Sequence, residues 1–278
     1  MKLGLVDVGG GLRGVYAAGV LDYCMDQNIS FDCCIGVSAG SANVTSYLAG
    51  QRGRNYCYYC EYAMRKEYMG LSNFLKKSSY IDMEYVYGTL SNSDGEYPLD
   101  YTALCKNKAE LFVVAEEAVT GRVKYFSRED ICQDQYQILM ASSSIPGVNR
   151  PYEIDGVPYF DGALGDPVPI QKAFNEGCDL VVLILTKPIS VPREPGRDPF
   201  LAKMIQRKYP KSAENMRNRA KRYNEAVELA KEYQKQGKVL IISPDDTAGV
   251  TTLSRNTESL DRLYRKGYQN GAAILEWL

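Results

Sequence analysis

The sequence predicts an α/β fold, a central and mostly parallel sheet covered by helices. Short apolar runs of strand length alternate with segments of helical periodicity from the N-terminus onward. Two of the first strands run directly into glycine-rich turns followed by helix, the order expected of parallel strands joined by crossovers. The 278 residues hold no internal repeat or low-complexity linker, so one domain is expected over 1–278.

Leu3 to Val8 is an apolar run closed by Gly9-Gly10-Gly11 and reads as a buried strand. Val15 to Met25 then places Val15, Ala18, Leu21 and Met25 on one helical face. Phe31 to Val37 repeats the strand pattern, and Ala39 to Ala49 the helical one. The stretch from about 55 to 105 is rich in Tyr, with Met64, Met69 and Met83, and reads as a helical, irregular cap or pocket wall. Glu110 to Phe126 suggests two strands joined at Thr120-Gly121, and Gln133 to Ser144 a helix that stops before Pro146. Tyr152 to Phe160 reads as a hairpin around Asp155-Gly156, and Leu180–Thr186 and Val239–Ser243 as two more buried strands. A basic helical segment is expected over about 200–236. Lys203 to Arg222 holds eight Lys/Arg against one Glu, which is ordinarily a solvated helix face. Its functional alternative is peripheral docking on anionic lipid headgroups through 203–222.

Composition excludes several chemistries. With 33 Lys+Arg against 34 Asp+Glu the chain lacks the basic excess of a general nucleic-acid binder. It contains no histidine, which removes every Ser-His-Asp and Cys-His mechanism and every His-ligated metal site. Eight cysteines form no dense disulfide framework. Cys57 and Cys60 make one CxxC with no second pair, so they read as structural thiols, and neither metal nor cofactor is expected. No apolar run approaches the roughly 18 residues of a membrane span. The N-terminus shows no signal-peptide pattern, so a cytoplasmic chain is expected, with any membrane contact peripheral.

Three motifs stand in order. Gly9-Gly10-Gly11-Leu12-Arg13-Gly14 lies between a strand and a helix and satisfies GxGxxG. As a dinucleotide fingerprint it wants an acidic residue at the end of the second strand, and Asp32 sits at the beginning instead. As an anion cradle it exposes backbone N–H groups at a helix N-terminus. Gly36-Val37-Ser38-Ala39-Gly40 is a GxSxG nucleophile elbow between a strand and a helix, with Gly36 and Gly40 giving room for a sharp turn around Ser38. Asp161-Gly162-Ala163 closes the strand Val157 to Phe160 and offers the carboxylate base that a histidine-free site needs. Asp155 is better spent on the hairpin turn, and Asp166, before Pro167, on opening the next helix.

With GGGLRG at 9–14, GVSAG at 36–40 and DGA at 161–163 in this order, the sequence resembles the patatin-like phospholipase family. Ala163 stands where many members have a second glycine. The resemblance implies a three-layer α/β/α fold with the elbow after a central strand, and a lipid acyl hydrolase working through a Ser–Asp dyad. It matches Ser38 to the nucleophile, Asp161 to the general base and the loop Gly9, Gly10, Gly11, Arg13 and Gly14 to the oxyanion hole. Arg13 is expected to brace that loop through backbone carbonyls or a carboxylate. The implied partner is a fatty acyl ester of a phospholipid, lysophospholipid or glyceride. An acyltransferase or thioesterase with the same dyad is the alternative within the class, and a non-catalytic nucleotide-binding module the alternative outside it.

Overall fold

Strand and helix alternate through the first half of the chain because the apolar runs are too short for helices and are β-branched or small. In the computed structural model, which describes residues 1–278, β1 (Leu3–Asp7) leads to α1 (Val15–Asp26), β2 (Cys33–Val37) and α2 (Ala39–Leu48). A helical segment follows, with α3 (Arg54–Cys60), α4 (Leu71–Lys77), a π-helical stretch at Glu84–Thr89 and α5 (Tyr101–Lys106). The sheet resumes with β3 (Glu110–Glu117), β4 (Val123–Ser127), α6 (Gln137–Ser142), β5 (Tyr152–Ile154) and β6 (Val157–Asp161). The remainder comprises α7 (Ile170–Asn175), β7 (Leu180–Ile184), α8 (Asp198–Ile205), α9 (Pro210–Lys235), β8 (Val239–Ile242), α10 (Thr257–Asn270) and α11 (Ala272–Trp277).

One eight-stranded sheet forms, in the order β5-β6-β3-β2-β1-β7-β8 with β4 also on β3. The β2, β1, β7 and β8 pairings are parallel, as is β2 on β3; β4, β5 and β6 pair antiparallel. Successive residues of the central strands enter opposite cores. Leu5, Cys34, Val182 and Ile184 pack with α1, α2 and α10, whereas Val6, Ile35, Val181 and Leu183 pack with α7 and α9. Both faces are covered, giving a three-layer α/β/α arrangement.

β3 carries three partners, and their registers decide where the chain ends of two strands meet. β2 pairs Glu110 to Val114, β4 pairs Phe112 to Glu116, and β6 pairs Ala115 to Glu117. β4 overlaps both others, so it occupies one edge of β3, and β2 and β6 share the opposite edge in succession. Val37 lies opposite Val114 and Asp161 opposite Ala115. The residue after Val37 and the last residue of β6 therefore converge at one step of β3.

Two local expectations change. The helix expected from Gln133 is confined to Gln137–Ser142. Its first turn is lost because Asp134 takes a left-handed backbone (φ 61°) and its carboxylate accepts from the Ser93 amide and hydroxyl. The basic stretch is also not wholly solvated. Arg219 is buried on Asp198, and Arg222 turns inward to the Leu164 carbonyl and Asn215.

Helix α10 is locked to α1. A Cβ at Gly19 would lie 2.1 Å from the Tyr264 carbonyl oxygen, and one at Gly267 would lie 1.9 Å from that of Tyr16. Gly267→Val is therefore expected to destabilise the protein by about 1–3 kcal/mol or more in urea denaturation, through overpacking at this crossing. Gly88→Ala, with its nearest atom 3.7 Å away, is expected to stay within about 1 kcal/mol of the parent. Equal stability of the Gly267→Val variant and the parent would contradict the close crossing.

Candidate active site

Ser38 occupies the sharp turn between β2 and α2 with φ 57° and ψ −130°, a backbone conformation that costs a non-glycine residue on the order of 1–3 kcal/mol. The surroundings hold it there. Its amide donates to Ser142 Oγ (2.9 Å), and that hydroxyl donates to the Val114 carbonyl (2.6 Å). The flanking glycines are steric necessities: a Cβ at Gly36 would lie 2.4 Å from Ser41 Cα, and one at Gly40 2.4 Å from the Asp7 carbonyl oxygen.

The glycine loop packs directly on this turn. A Cβ at Gly9, whose φ is +64°, would lie 2.2 Å from the Val37 carbonyl oxygen. The loop is fixed by groups at its two ends. Buried Asp7 accepts from the Gly9 amide and from Asn43 Nδ2, each at 2.9 Å, while the Thr186 hydroxyl donates to the Gly9 carbonyl. The Leu12 amide donates to the Thr252 carbonyl (3.0 Å). The Gly10 and Gly11 amides make no hydrogen bond within the protein, and both residues line cavities that reach Ser38.

The loop thus divides by role. The Gly9 amide is spent on Asp7, so it is not a free donor. Gly14 is a packing position, with the Tyr59 hydroxyl 2.4 Å from where its Cβ would be and its carbonyl accepting from Asn43. Arg13 braces the loop through neither a carbonyl nor a carboxylate: its Nη1 donates to Thr252 Oγ1 at 3.1 Å. Asp166 opens no helix, since α7 starts four residues later; it accepts from the Tyr125 hydroxyl (2.6 Å). Asp155 (φ 49°) and Gly156 (φ 75°) form the hairpin turn. Asp32 accepts from the Leu3 amide, at the opposite end of the sheet from the glycine loop.

Asp161 is fully buried at the end of β6. Its Oδ1 accepts from the Ala163 amide (2.8 Å), and its Oδ2 has no hydrogen-bond partner. Burial holds its carboxyl above the ordinary aspartate value. The adjacent Ser38 hydroxyl, the Ala163 amide and the more distant Arg219 and Arg193 oppose that rise. Ser38 is thus beside the carboxyl without forming a well-aligned hydrogen bond to it. Gly162 permits the approach, because its Cβ would lie 2.3 Å from the Val114 carbonyl oxygen.

Two cavities meet at Ser38. One, of about 770 Å³ including its open mouth, is mostly apolar and walled by Tyr58, Tyr59, Tyr68, Met69, Met83 and Tyr87. Its wall comes from the Tyr- and Met-rich segment. The other, of about 1480 Å³ counted the same way, contains Asp161 and the cations Arg13, Lys187, Arg193, Arg197 and Arg219. Of these residues the sequence marks Ser38, Asp161 and Arg13 through motifs, and Met69 and Met83 through the Tyr- and Met-rich segment. Asp7 carries a visible signal in the sequence, a carboxylate ending an otherwise apolar strand before the glycines. Asn43, Ser142, Thr186 and Thr252 carried none, because their contacts come from elements distant in sequence.

The family model described as patatin-like phospholipase matches residues 6–174, more than half of the chain. A model of a domain of unknown function (DUF6363) matches residues 209–278. The uncharacterized protein YjjU of Escherichia coli (strain K12) is 28% identical over 190 residues, covering 67% of this chain and 52% of that protein. The chain thus spans about half the length of this curated relative. The crystal structure of VipD from Legionella pneumophila shares the fold, with a TM-score of 0.50 at 14% identity over 99% of this chain and 67% of that one. The fold and the match over 6–174 define an α/β protein of the patatin-like class. The chain belongs to the patatin-like phospholipase family. No helix is long and apolar enough to cross a membrane.

The Asp7–Asn43 pair ties the glycine loop to the elbow helix, and burial pushes the Asp7 carboxyl up to about 6 against the lowering effect of Asn43 and the Gly9 amide. Asn43→Ala is expected to destabilise the protein by about 2–3 kcal/mol at pH 8, the value of a lost hydrogen bond to a buried charge. Asp7 is protonated in the folded state well below pH 6, so the loss should shrink at pH 5. Denaturant midpoints at the two pH values test this, and an equal loss at both would contradict the ionised clamp.

Proposed function

We propose that the protein hydrolyses fatty acyl esters, with Ser38 as nucleophile, Asp161 as general base and the Gly10 and Gly11 amides as the oxyanion hole. The observation that carries this reading is the unpartnered, buried Oδ2 of Asp161 beside a serine held at a strained turn. An unspent carboxylate oxygen in the interior is costly, and a serine proton is a group that would satisfy it.

Ser38 Oγ attacks the ester carbonyl carbon while its proton passes to Asp161 Oδ2. The carbonyl π electrons move onto oxygen, where the free amides of Gly10 and Gly11 receive the charge. Each such donor is worth about 2.7–4 kcal/mol of transition-state stabilisation. Collapse of the tetrahedral adduct breaks the bond to the alcohol, which leaves with the proton from Asp161. Water then attacks the acyl-Ser38 ester, Asp161 takes its proton, and the fatty acid departs as the proton returns to Ser38.

An aspartate is far too weak to ionise a serine beforehand, so proton transfer must accompany bond formation. Burial narrows the gap by raising the carboxyl. Esters, with a better leaving group than amides, suit a site without a strong acid. The apolar cavity at Ser38 supports an acyl chain there, and its aromatic wall resists water.

Ser38→Ala is expected to abolish hydrolysis of a soluble fatty acyl ester with the unfolding midpoint unchanged, and Asp161→Asn to lower kcat by at least about 10³-fold. Asp155→Asn should retain near-parental turnover. Because Asp161 acts ionised and its carboxyl is raised, kcat/KM should rise with pH through an acid limb above 3.8. Turnover surviving in Ser38→Ala, or an acid limb at or below the ordinary aspartate value, would contradict this reading.

A further inference from the structure

The apolar cavity at Ser38 is lined by a single charged residue, and that charge has no counter-charge. Arg54, the first residue of α3, lines the cavity and is only 5% exposed. Its Nη1 donates to Ser46 Oγ at 2.9 Å. Its Nη2 donates to the Tyr58 hydroxyl, to Ser91 Oγ and to the Tyr97 carbonyl at 2.9, 2.9 and 3.2 Å. All four acceptors are neutral. The guanidinium carbon lies 4.4 Å from the centre of the Tyr58 ring and 5.7 Å from that of Tyr97. Burial lowers the pKa of Arg54 from the ordinary arginine value, and the neighbours that oppose the fall are Tyr58, Tyr97, Tyr136 and Tyr87. The buried Nε has no partner.

A buried cation without an anion is unfavourable, because hydrogen bonds to neutral oxygens orient the charge without neutralising it. The orientation here is well fixed. Ser91 Oγ donates onward to the Val86 carbonyl at 2.8 Å, so its lone pairs are left for the guanidinium. Arg54 is also held from two sides, by α2 through Ser46 and by the Ser91–Tyr97 stretch. Its depth follows from α2. The cavity lining advances from Ser38 through Ala39, Ala42 and Asn43, and Ser46 comes eight residues after Ser38. At the rise of an α-helix that separation is about 12 Å. An extended chain advances about 1.2 Å per bond, so a chain of about eight to ten carbons reaches from Ser38 to the guanidinium.

We propose that Arg54 is an anion-binding floor of the acyl cavity, so that the preferred substrates are esters of medium-length acyl chains ending in a carboxylate. This rests on the reading of Ser38 as the nucleophile. A chain ending in methyl covers Arg54 with hydrocarbon and leaves its charge unanswered. A terminal carboxylate answers that charge and gives Nε an acceptor, in the geometry that suits a guanidinium. The methylenes between the two ends lie against the apolar wall, and the one charged group at the floor sets chain length and chain end together. Half-esters of dicarboxylic acids are the class that meets both conditions.

Two esters of equal chain length test this, mono-4-nitrophenyl azelate and 4-nitrophenyl nonanoate. The parent protein should show kcat/KM at least about tenfold higher for the azelate, mainly through KM, as expected for a hydrogen-bonded charge pair. Among half-esters of increasing length the preference should peak at about eight to ten carbons. Arg54→Met should bring the azelate-to-nonanoate ratio to one or below, and Arg54→Lys, which keeps the charge, should hold it above one. Unfolding midpoints check that both variants fold, and the length series in the parent needs no variant. Ser38→Ala protein titrated calorimetrically with monomethyl azelate should bind it saturably, and at least about tenfold more weakly once Arg54→Met is added. That titration involves no turnover, so a wrong nucleophile and a wrong subsite give different results. Nonanoate turned over as well as azelate, or no monomethyl azelate binding, would overturn the proposal. Equal losses for both esters in Arg54→Met would reduce Arg54 to a structural tie. A preference that survives Arg54→Met would place the carboxylate on the cations of the other cavity and also overturn it.

Discussion

The shared edge of β3 is the constraint on which the site depends. β2 occupies that edge up to Val114, and β6 takes it over at Ala115 from the opposite direction. A parallel strand and an antiparallel one therefore end nose to nose, and the residues that follow or close them, Ser38 and Asp161, meet without any long-range loop. Ser142 reinforces the junction by bonding both the Ser38 amide and the Val114 carbonyl. The glycines at 9, 36, 40 and 162 are consequences of the same crowding. Each stands where the backbone of a neighbouring strand or helix lies within 2.4 Å of its missing Cβ.

The alternation of strand and helix, and the turns at the glycine motifs, were legible because they are local. Apolar runs such as Leu180–Ile184 can only be strands at that length, and Asp155-Gly156 has the residue types of a tight hairpin turn. The helix starts only at Gln137 because apolar periodicity does not register the left-handed turn at Asp134, which a carboxylate contact to Ser93 supports. The division of labour in the glycine loop was also hidden. That Arg13 reaches Thr252 follows from a tertiary neighbour 239 positions away, and that Gly9 gives its amide to Asp7, two residues before it, follows from the buried turn between them. A carboxylate ending an apolar strand was the one such neighbour with a visible mark.

The last third of the chain builds the site as well as covering the sheet. α10 crosses α1 at paired glycines, and the loop before α10 brings Thr252 over Gly11 and Leu12. α8 and α9 bring Asp198 and Arg219 to the cavity wall. Of the basic stretch at 203–222, Arg219 serves the interior, which is why charge counting along the sequence overstated its solvated face. Segments matched by two different family models thus line one hollow next to Ser38.

Ser38 attack with the developing oxyanion on the Gly10 and Gly11 amides is the central claim. Its most direct test is a crystal structure of the protein after reaction with a fluorophosphonate. The expected result is one adduct on Ser38 Oγ, with its phosphoryl oxygen within hydrogen-bond distance of both amides. An adduct on another residue, or a phosphoryl oxygen turned away from the glycine loop, would contradict it.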